Sequence, residues 1–157
     1  MSDTKQRVLF ICTHNSARSQ MAEGFLRAWG GDRFDVYSAG TEATEVRPLA
    51  IEVMRDMGVD ISGHTSKTLQ QFLGEPFDWV ITVCDQAREA CPYFPGAENT
   101  AHWGFEDPSA ATWTEAERRE VFRRVAREVG QRVRQFMTIA DRPELVEGRE
   151  PTRLPIA

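Results

Sequence analysis

The chain has 157 residues, enough for one domain with a real core. Its formal net charge of −5 and 41% hydrophobic content are ordinary for a soluble globular protein and mark no nucleic-acid surface. No apolar run approaches membrane-spanning length, and residues 1–6 lack the apolar segment of a signal peptide, so a cytoplasmic protein with no membrane contact is expected.

Residues 7–12 form an apolar run of strand length, and residues 18–29 place apolar side chains at helical spacing. Gly30, Gly31 and Asp32 break that helix. Residues 34–38 alternate and read as a second strand that ends at Ala39 and Gly40. Pro48 opens a second helix carrying Ala50, Ile51, Val53, Met54 and Met57, and Gly58 closes it. Residues 66–73 read as a short helix stopped by Gly74 and Pro76. Residues 77–83 are rich in β-formers and read as a buried third strand. Residues 84–98 carry Pro92, Pro95 and Gly96 and read as loop; residues 99–103 read as a short fourth strand. Thr114 and Glu117 have the spacing of a capping box. Behind them Val121, Val125, Val129, Val133 and Met137 recur every four residues, and Phe122, Val129 and Phe136 every seven, which predicts one long amphipathic helix. Strands alternating with helices predict an α/β three-layer sandwich around a four-stranded parallel sheet, one domain over residues 1–140. The tail, residues 141–157, holds three prolines and several charges and is expected to be poorly ordered.

The chemistry concentrates where the first strand meets the first helix, in Cys12-Thr13-His14-Asn15-Ser16-Ala17-Arg18-Ser19. Backbone N–H groups at a helix start lack intrahelical partners, and the helix dipole is positive there. A loop wrapped around that point is an anion cradle, and its field favours thiolate over thiol at Cys12. Arg18 can grip a tetrahedral oxyanion with two parallel hydrogen bonds, and Ser19 can donate its hydroxyl hydrogen to the sulfur. A structural cysteine beside a surface arginine is the plainer reading of Cys12 alone, and strand, Cys-x5-Arg-Ser and helix together outweigh it. Such chemistry needs a proton donor for the leaving oxygen, and Asp107 of Asp107-Pro108 is the candidate, though Asp-Pro alone is most often a turn. Cys84 directly follows the third strand, so it lies on the same sheet edge as Cys12. Cys84 and Cys91 read either as two small core residues or as a thiol pair in a segment that opens and closes. His14, His64 and His102 are scattered with no zinc-type spacing, so no metal and no cofactor is expected.

Cys-x5-Arg-Ser followed by a late Asp-Pro resembles the low-molecular-weight tyrosine phosphatase superfamily, and within it the thioredoxin-coupled arsenate reductases. The resemblance is carried by residues 12–24, 37–40 and 60–66, by Cys84 and Cys91, and by His102-Trp103-Gly104-Phe105-Glu106-Asp107-Pro108. It implies an oxyanion loop over residues 13–18 that takes arsenate, with phosphate or sulfate as mimics. It also implies three working thiols. Cys12 attacks arsenic, Asp107 protonates the departing hydroxide, and Cys84 attacks Cys12 to release arsenite and leave a Cys12–Cys84 disulfide. Cys91 then moves the disulfide to Cys84–Cys91, which thioredoxin reduces. Members of the family can hold potassium with residues matching Asn15, Glu23, Ser38 and an aspartate. Here Lys67 stands at the aspartate position, and its ammonium is expected to replace the cation and pair with Glu23. A monomer is expected. A phosphatase would need Cys12, Arg18 and Asp107 alone, and Ser109-Ala110-Ala111-Thr112 lacks the aromatic residues that usually follow Asp-Pro there. A reductase using a small thiol and a glutaredoxin-type partner would leave Cys84 and Cys91 idle. An oxyanion-binding sensor would have no use for a proton donor or resolving thiols.

Overall fold

A computed structural model describes residues 5–85, 94–109 and 114–140. The elements are β1 (Gln6–Cys12), α1 (Arg18–Gly30), β2 (Phe34–Gly40), α2 (Pro48–Asp56), a 3-10 turn (Leu69–Phe72), β3 (Phe77–Thr82), β4 (Ala97–His102) and α3 (Glu115–Ala140). The four strands pair in parallel in the order β2-β1-β3-β4. The α/β fold and the four-stranded parallel sheet are those expected from the sequence.

Both faces of the sheet are covered, which is why β1 is a continuous apolar run rather than an alternating one. Val8, Phe10 and Cys12 face the larger cluster, with Phe25 and Leu26 of α1, Val53 and Met54 of α2, and Phe122, Val129 and Phe136 of α3. Leu9 and Ile11 face a smaller cluster with Ala39, Phe72, Val80 and Phe94, so the layer over that face is thinner. Each fully buried side chain of this size contributes about 1.5–3 kcal/mol through removal from water.

On α3 the buried stripe is Phe122, Val125, Ala126, Val129, Gly130, Val133, Phe136 and Ala140. Val121 and Met137 are only partly buried. A four-residue step overshoots the 3.6-residue turn by about 40°, so a row of fours drifts off the core face at both ends. The capping box is made at the helix start: the Glu117 N–H donates to Thr114 Oγ1 (3.2 Å) and the Thr114 N–H to Glu117 Oε1 (2.9 Å).

The short helix expected over residues 66–73 shrinks to the single 3-10 turn at Leu69–Phe72. Residues 67 and 68 are instead drawn out along the end of β2. The Gly40 N–H donates to Lys67 O (2.9 Å), the Lys67 N–H donates to Asn15 Oδ1 (2.7 Å), and Thr68 forms a parallel bridge with Gly40. Those bonds to distant residues outcompete local helix formation. The fourth strand begins two residues earlier than the apolar pattern suggests, because Ala97 and Asn99 pair with Phe77 and Trp79. The 141–157 tail lies outside the described residues.

Candidate active site

Cys12 ends the central strand, and its pairing partners Gly40 and the neighbouring Ile11–Thr82 pair bring the ends of β2 and β3 beside it. It is a free, buried thiol with Sγ 2.9 Å from Ser19 Oγ. Asn15 sits in the left-handed region at φ 52°, a conformation that asparagine tolerates better than most residues. Its buried amide Nδ2 donates to Ser19 Oγ (2.8 Å) and Ser38 Oγ (2.9 Å), so one side chain sets both hydroxyls.

The loop carbonyls are turned outward. Thr13 O accepts from the Glu42 N–H (3.1 Å) and from Thr41 Oγ1 (3.0 Å). His14 O accepts from Ser66 Oγ (3.0 Å), Asn15 O from Gln20 Nε2 (3.1 Å), and Ser16 O from the Arg47 N–H (2.9 Å). No peptide bond is cis, and a trans peptide points its N–H opposite to its carbonyl. The amides of His14, Asn15, Ser16 and Ala17 are thereby aimed away from these outer donors, toward the loop's interior. Helix α1 adds its own N-terminus: Ala17 at the cap makes no side-chain capping bond, and the first turn has no acidic residue. Together these give a ring of positive dipoles around the Cys12 sulfur.

Arg18 is 3% exposed. Its Nη1 donates to Phe105 O (3.2 Å), and its Nη2 lies 3.7 Å from Asp107 Oδ2. Asp107 is oriented by the Ser109 N–H, which donates to Oδ1 (2.9 Å). Buried Trp103 and Phe105 anchor the segment that carries it. The structure thus brings Cys12, Arg18, Ser19 and Asp107 into one cluster. Cys84 lies just past β3 on the same edge, buried, and it is held in a disulfide. Cys91 lies outside the described residues.

Below the loop is a buried polar cluster. Ser38 Oγ donates to Glu23, whose other oxygen accepts from Arg27 Nη2 (2.7 Å). Lys67 Nζ donates to Thr65 O (2.7 Å) and stands 4.0 Å from Glu23 Oε1. Burial pushes the Lys67 amine below its ordinary range, Glu23 pulls it partly back, and Arg27 opposes that. The donor set suits a potassium ion poorly, because an ammonium faces Glu23 where an oxygen ligand would be needed.

Sequence reasoning gave Gln20 no role. Its Nε2 lies within hydrogen-bond distance of Asn15 O, Asn15 Oδ1 (2.9 Å) and Thr65 O (2.9 Å), joining the loop to the segment that carries Lys67. A buried glutamine on the first turn of a helix that follows a loop was the available signal. Gly40 is also part of the site: a Cβ there would lie 2.7 Å from Thr13 O, 2.8 Å from Asn15 N and 2.9 Å from Cys12 O.

Known proteins share this arrangement. An arsenate reductase from Halalkalibacterium halodurans is 47% identical over 132 residues, 84% of this chain and 95% of that protein. A solved arsenate reductase in a phosphate-binding state superposes with a TM-score of 0.73 at 37% identity, over 85% of this chain and 97% of the other. A thioredoxin-dependent arsenate reductase from Corynebacterium glutamicum superposes with a TM-score of 0.63 at 27% identity, over 90% of this chain and 64% of the other. Residues 7–146 match the low molecular weight phosphotyrosine protein phosphatase family, and the chain belongs to it.

Proposed function

We propose that this chain reduces arsenate to arsenite with three cysteines, and that thioredoxin reduces the disulfide that results. The observation that carries the reading is a pair of unlike cysteines on one sheet edge. Cys12 is a free thiol inside an anion cradle with Arg18 and Asp107, and Cys84, just past the neighbouring strand, is held in a disulfide. The relatives are named arsenate reductases, and one is named thioredoxin-dependent.

The electron count closes. Arsenate to arsenite takes two electrons, and two thiols that become one disulfide release two. Cys12 attacks arsenic held by the loop amides and Arg18, and one oxygen leaves as water after Asp107 delivers its proton. The Cys84 thiolate attacks the Cys12 sulfur. The arsenic–sulfur electron pair passes to arsenic, and arsenite departs. Cys91 then attacks Cys84 and frees Cys12, leaving Cys84–Cys91 for thioredoxin. The Ser19 hydroxyl beside Sγ stabilises the attacking and departing sulfur. Slow hydrolysis of aryl phosphates follows from the same loop, Arg18 and proton donor, which is the second reading that the family membership favours.

The test compares thioredoxin-coupled arsenate turnover with aryl phosphate hydrolysis. Cys12→Ser loses both activities. Arg18→Ala weakens both, by about 2–4 kcal/mol of transition-state stabilisation. Cys84→Ser and Cys91→Ser lose coupled turnover and keep most of the hydrolysis. After arsenate treatment without reductant, peptide mapping finds Cys12–Cys84 in Cys91→Ser and Cys84–Cys91 in the native chain. Sustained thioredoxin-dependent turnover by Cys91→Ser would overturn the relay in favour of a small-thiol mechanism.

A further inference from the structure

Arg47 spans the two halves of the site. Its backbone N–H donates to Ser16 O of the oxyanion loop (2.9 Å), and its carbonyl accepts from Ala50 (3.0 Å) and Ile51 (3.2 Å) at the start of α2. Its side chain crosses to the other wall, where Nε donates to Ser109 Oγ (3.2 Å). Ser109 is the residue whose N–H orients Asp107, and Asp107 in turn faces Arg18. The guanidinium is therefore fixed at its root by the loop and helix, and at Nε by the proton-donor segment. Its terminal Nη groups make no hydrogen bond among the described residues, although the side chain is exposed.

The charge arithmetic leaves such a group a task. Arsenate and phosphate are largely dianions near neutral pH, and the whole chain carries −5. Arg18 supplies one positive charge, already shared with Asp107 and Phe105 O. At the rim, His14 Nε2 lies 3.6 Å from Glu42 Oε1, so that imidazole is answered by a carboxylate. A second, unspent guanidinium beside the rim would complete the neutralisation of a dianion and raise its local concentration. Arsenous acid, the reduced product, is uncharged near neutral pH, so the same cation would not retain it.

We propose that Arg47 is a second oxyanion-binding residue, an outer guanidinium that meets dianionic substrate at the mouth of the Cys12 loop. This rests on the reading of that loop as the substrate site. It assigns Arg47 to recognition of the entering anion, with Arg18 left to serve the reacting one.

The experiment is calorimetric titration of the full-length chain with inorganic phosphate, together with arsenate kinetics. Arg47→Gln is expected to weaken phosphate binding roughly tenfold and to raise the arsenate KM similarly, with kcat changed less than about twofold. Arg47→Lys keeps most of the affinity, because it keeps the charge. Ser109→Ala, which removes the strap and leaves the guanidinium, stays within about twofold of native in phosphate affinity. Rising ionic strength weakens phosphate binding more in the native chain than in Arg47→Gln. Unchanged binding in Arg47→Gln would overturn the proposal, as would an equal loss in Ser109→Ala, or Arg47→Lys falling as far as Arg47→Gln. Arg18→Ala separates the two levels. If it loses phosphate while Arg47→Gln does not, only the assignment of Arg47 fails. If the native chain binds no phosphate, or Arg18→Ala binds it as well as native, the loop reading fails and this proposal with it.

Discussion

Lys67 shows how one residue changes what a shared cluster holds. Asn15, Glu23 and Ser38 are joined through hydrogen bonds from Asn15 to Ser38 and from Ser38 to Glu23. An oxygen ligand at position 67 would complete a cation site beside them. Lys67 instead brings its own positive charge within 4.0 Å of Glu23 and ties it to Thr65 O. Its backbone N–H still donates to Asn15 Oδ1, so position 67 sets the loop asparagine whatever its side chain is. An ammonium on a tether has no need of an ion from solution. Exchange of sodium for potassium is therefore expected to leave the melting temperature and the turnover unchanged. Lys67→Asp, by placing a carboxylate beside Glu23, is expected to lower stability in sodium and to regain it in potassium, read by thermal melts at matched ionic strength. A strong potassium response in the native chain would remove Lys67 from this role.

At the scale of elements, the loop is only as good as the strand it leans on. The end of β2 passes so close beneath the loop that a Cβ at Gly40 would lie under 3.0 Å from three backbone atoms of residues 12–15. Backbone cannot move aside as a flexible side chain can. Gly40→Ala is therefore expected to cost about 1–3 kcal/mol in urea unfolding and to lose phosphate binding as well, because the amide ring itself is displaced. Gly63→Ala is the matched control: a Cβ there meets nothing within 4 Å, and it should stay within about 0.5 kcal/mol of native. This contrast also marks what the sequence can tell. Strands, helices α1 to α3 and the Cys12–Arg18–Ser19 loop are local patterns, set by apolar period, turn residues and a fixed spacing, and they are legible in one dimension. Asp107 and Cys84 are legible because each lies beyond the end of a strand or in a segment whose chemistry answers that of the loop. The parts that escape are made by contact between distant segments. Gln20 bridging to Thr65, Arg47 to Ser109, and the extended run at Lys67 and Thr68 that replaces a helix all depend on partners 20 to 62 residues away. No local period encodes such a meeting.

For the whole molecule, the acid limb of stability traces to two partly buried histidines. His64 Nδ1 lies 3.0 Å from Gln20 Oε1, and burial is the main cause that lowers its basicity. Around it, Glu23 and Asp60 raise the value while Arg27 and Lys67 lower it. His102 ends β4 with Nδ1 2.7 Å from Thr82 Oγ1, and burial again dominates, with Arg132 lowering its value and Asp85 raising it. A histidine whose value is depressed on folding binds fewer protons folded than unfolded, in the window below the ordinary 6.5. Stability must then fall as pH drops from about 6.5 through the folded values, and level off above that window. Glu52 and Asp60 are shifted the other way, downward from 4.5 and 3.8, by bonds from Arg119 and Ser62. Their support is lost only in more acidic solution, as those carboxylates take up protons below their ordinary values, so the first decline on acidification belongs to the histidines. His64→Asn and His102→Asn each keep a group that can replace Nδ1 in its hydrogen bond and remove the titration. Urea midpoints at pH 7 and pH 5.5 are expected to separate clearly in the native chain, less in each single variant, and least in the double variant. A native midpoint that does not move across that interval, or a double variant that falls as steeply as native, would take the acid response away from these two side chains.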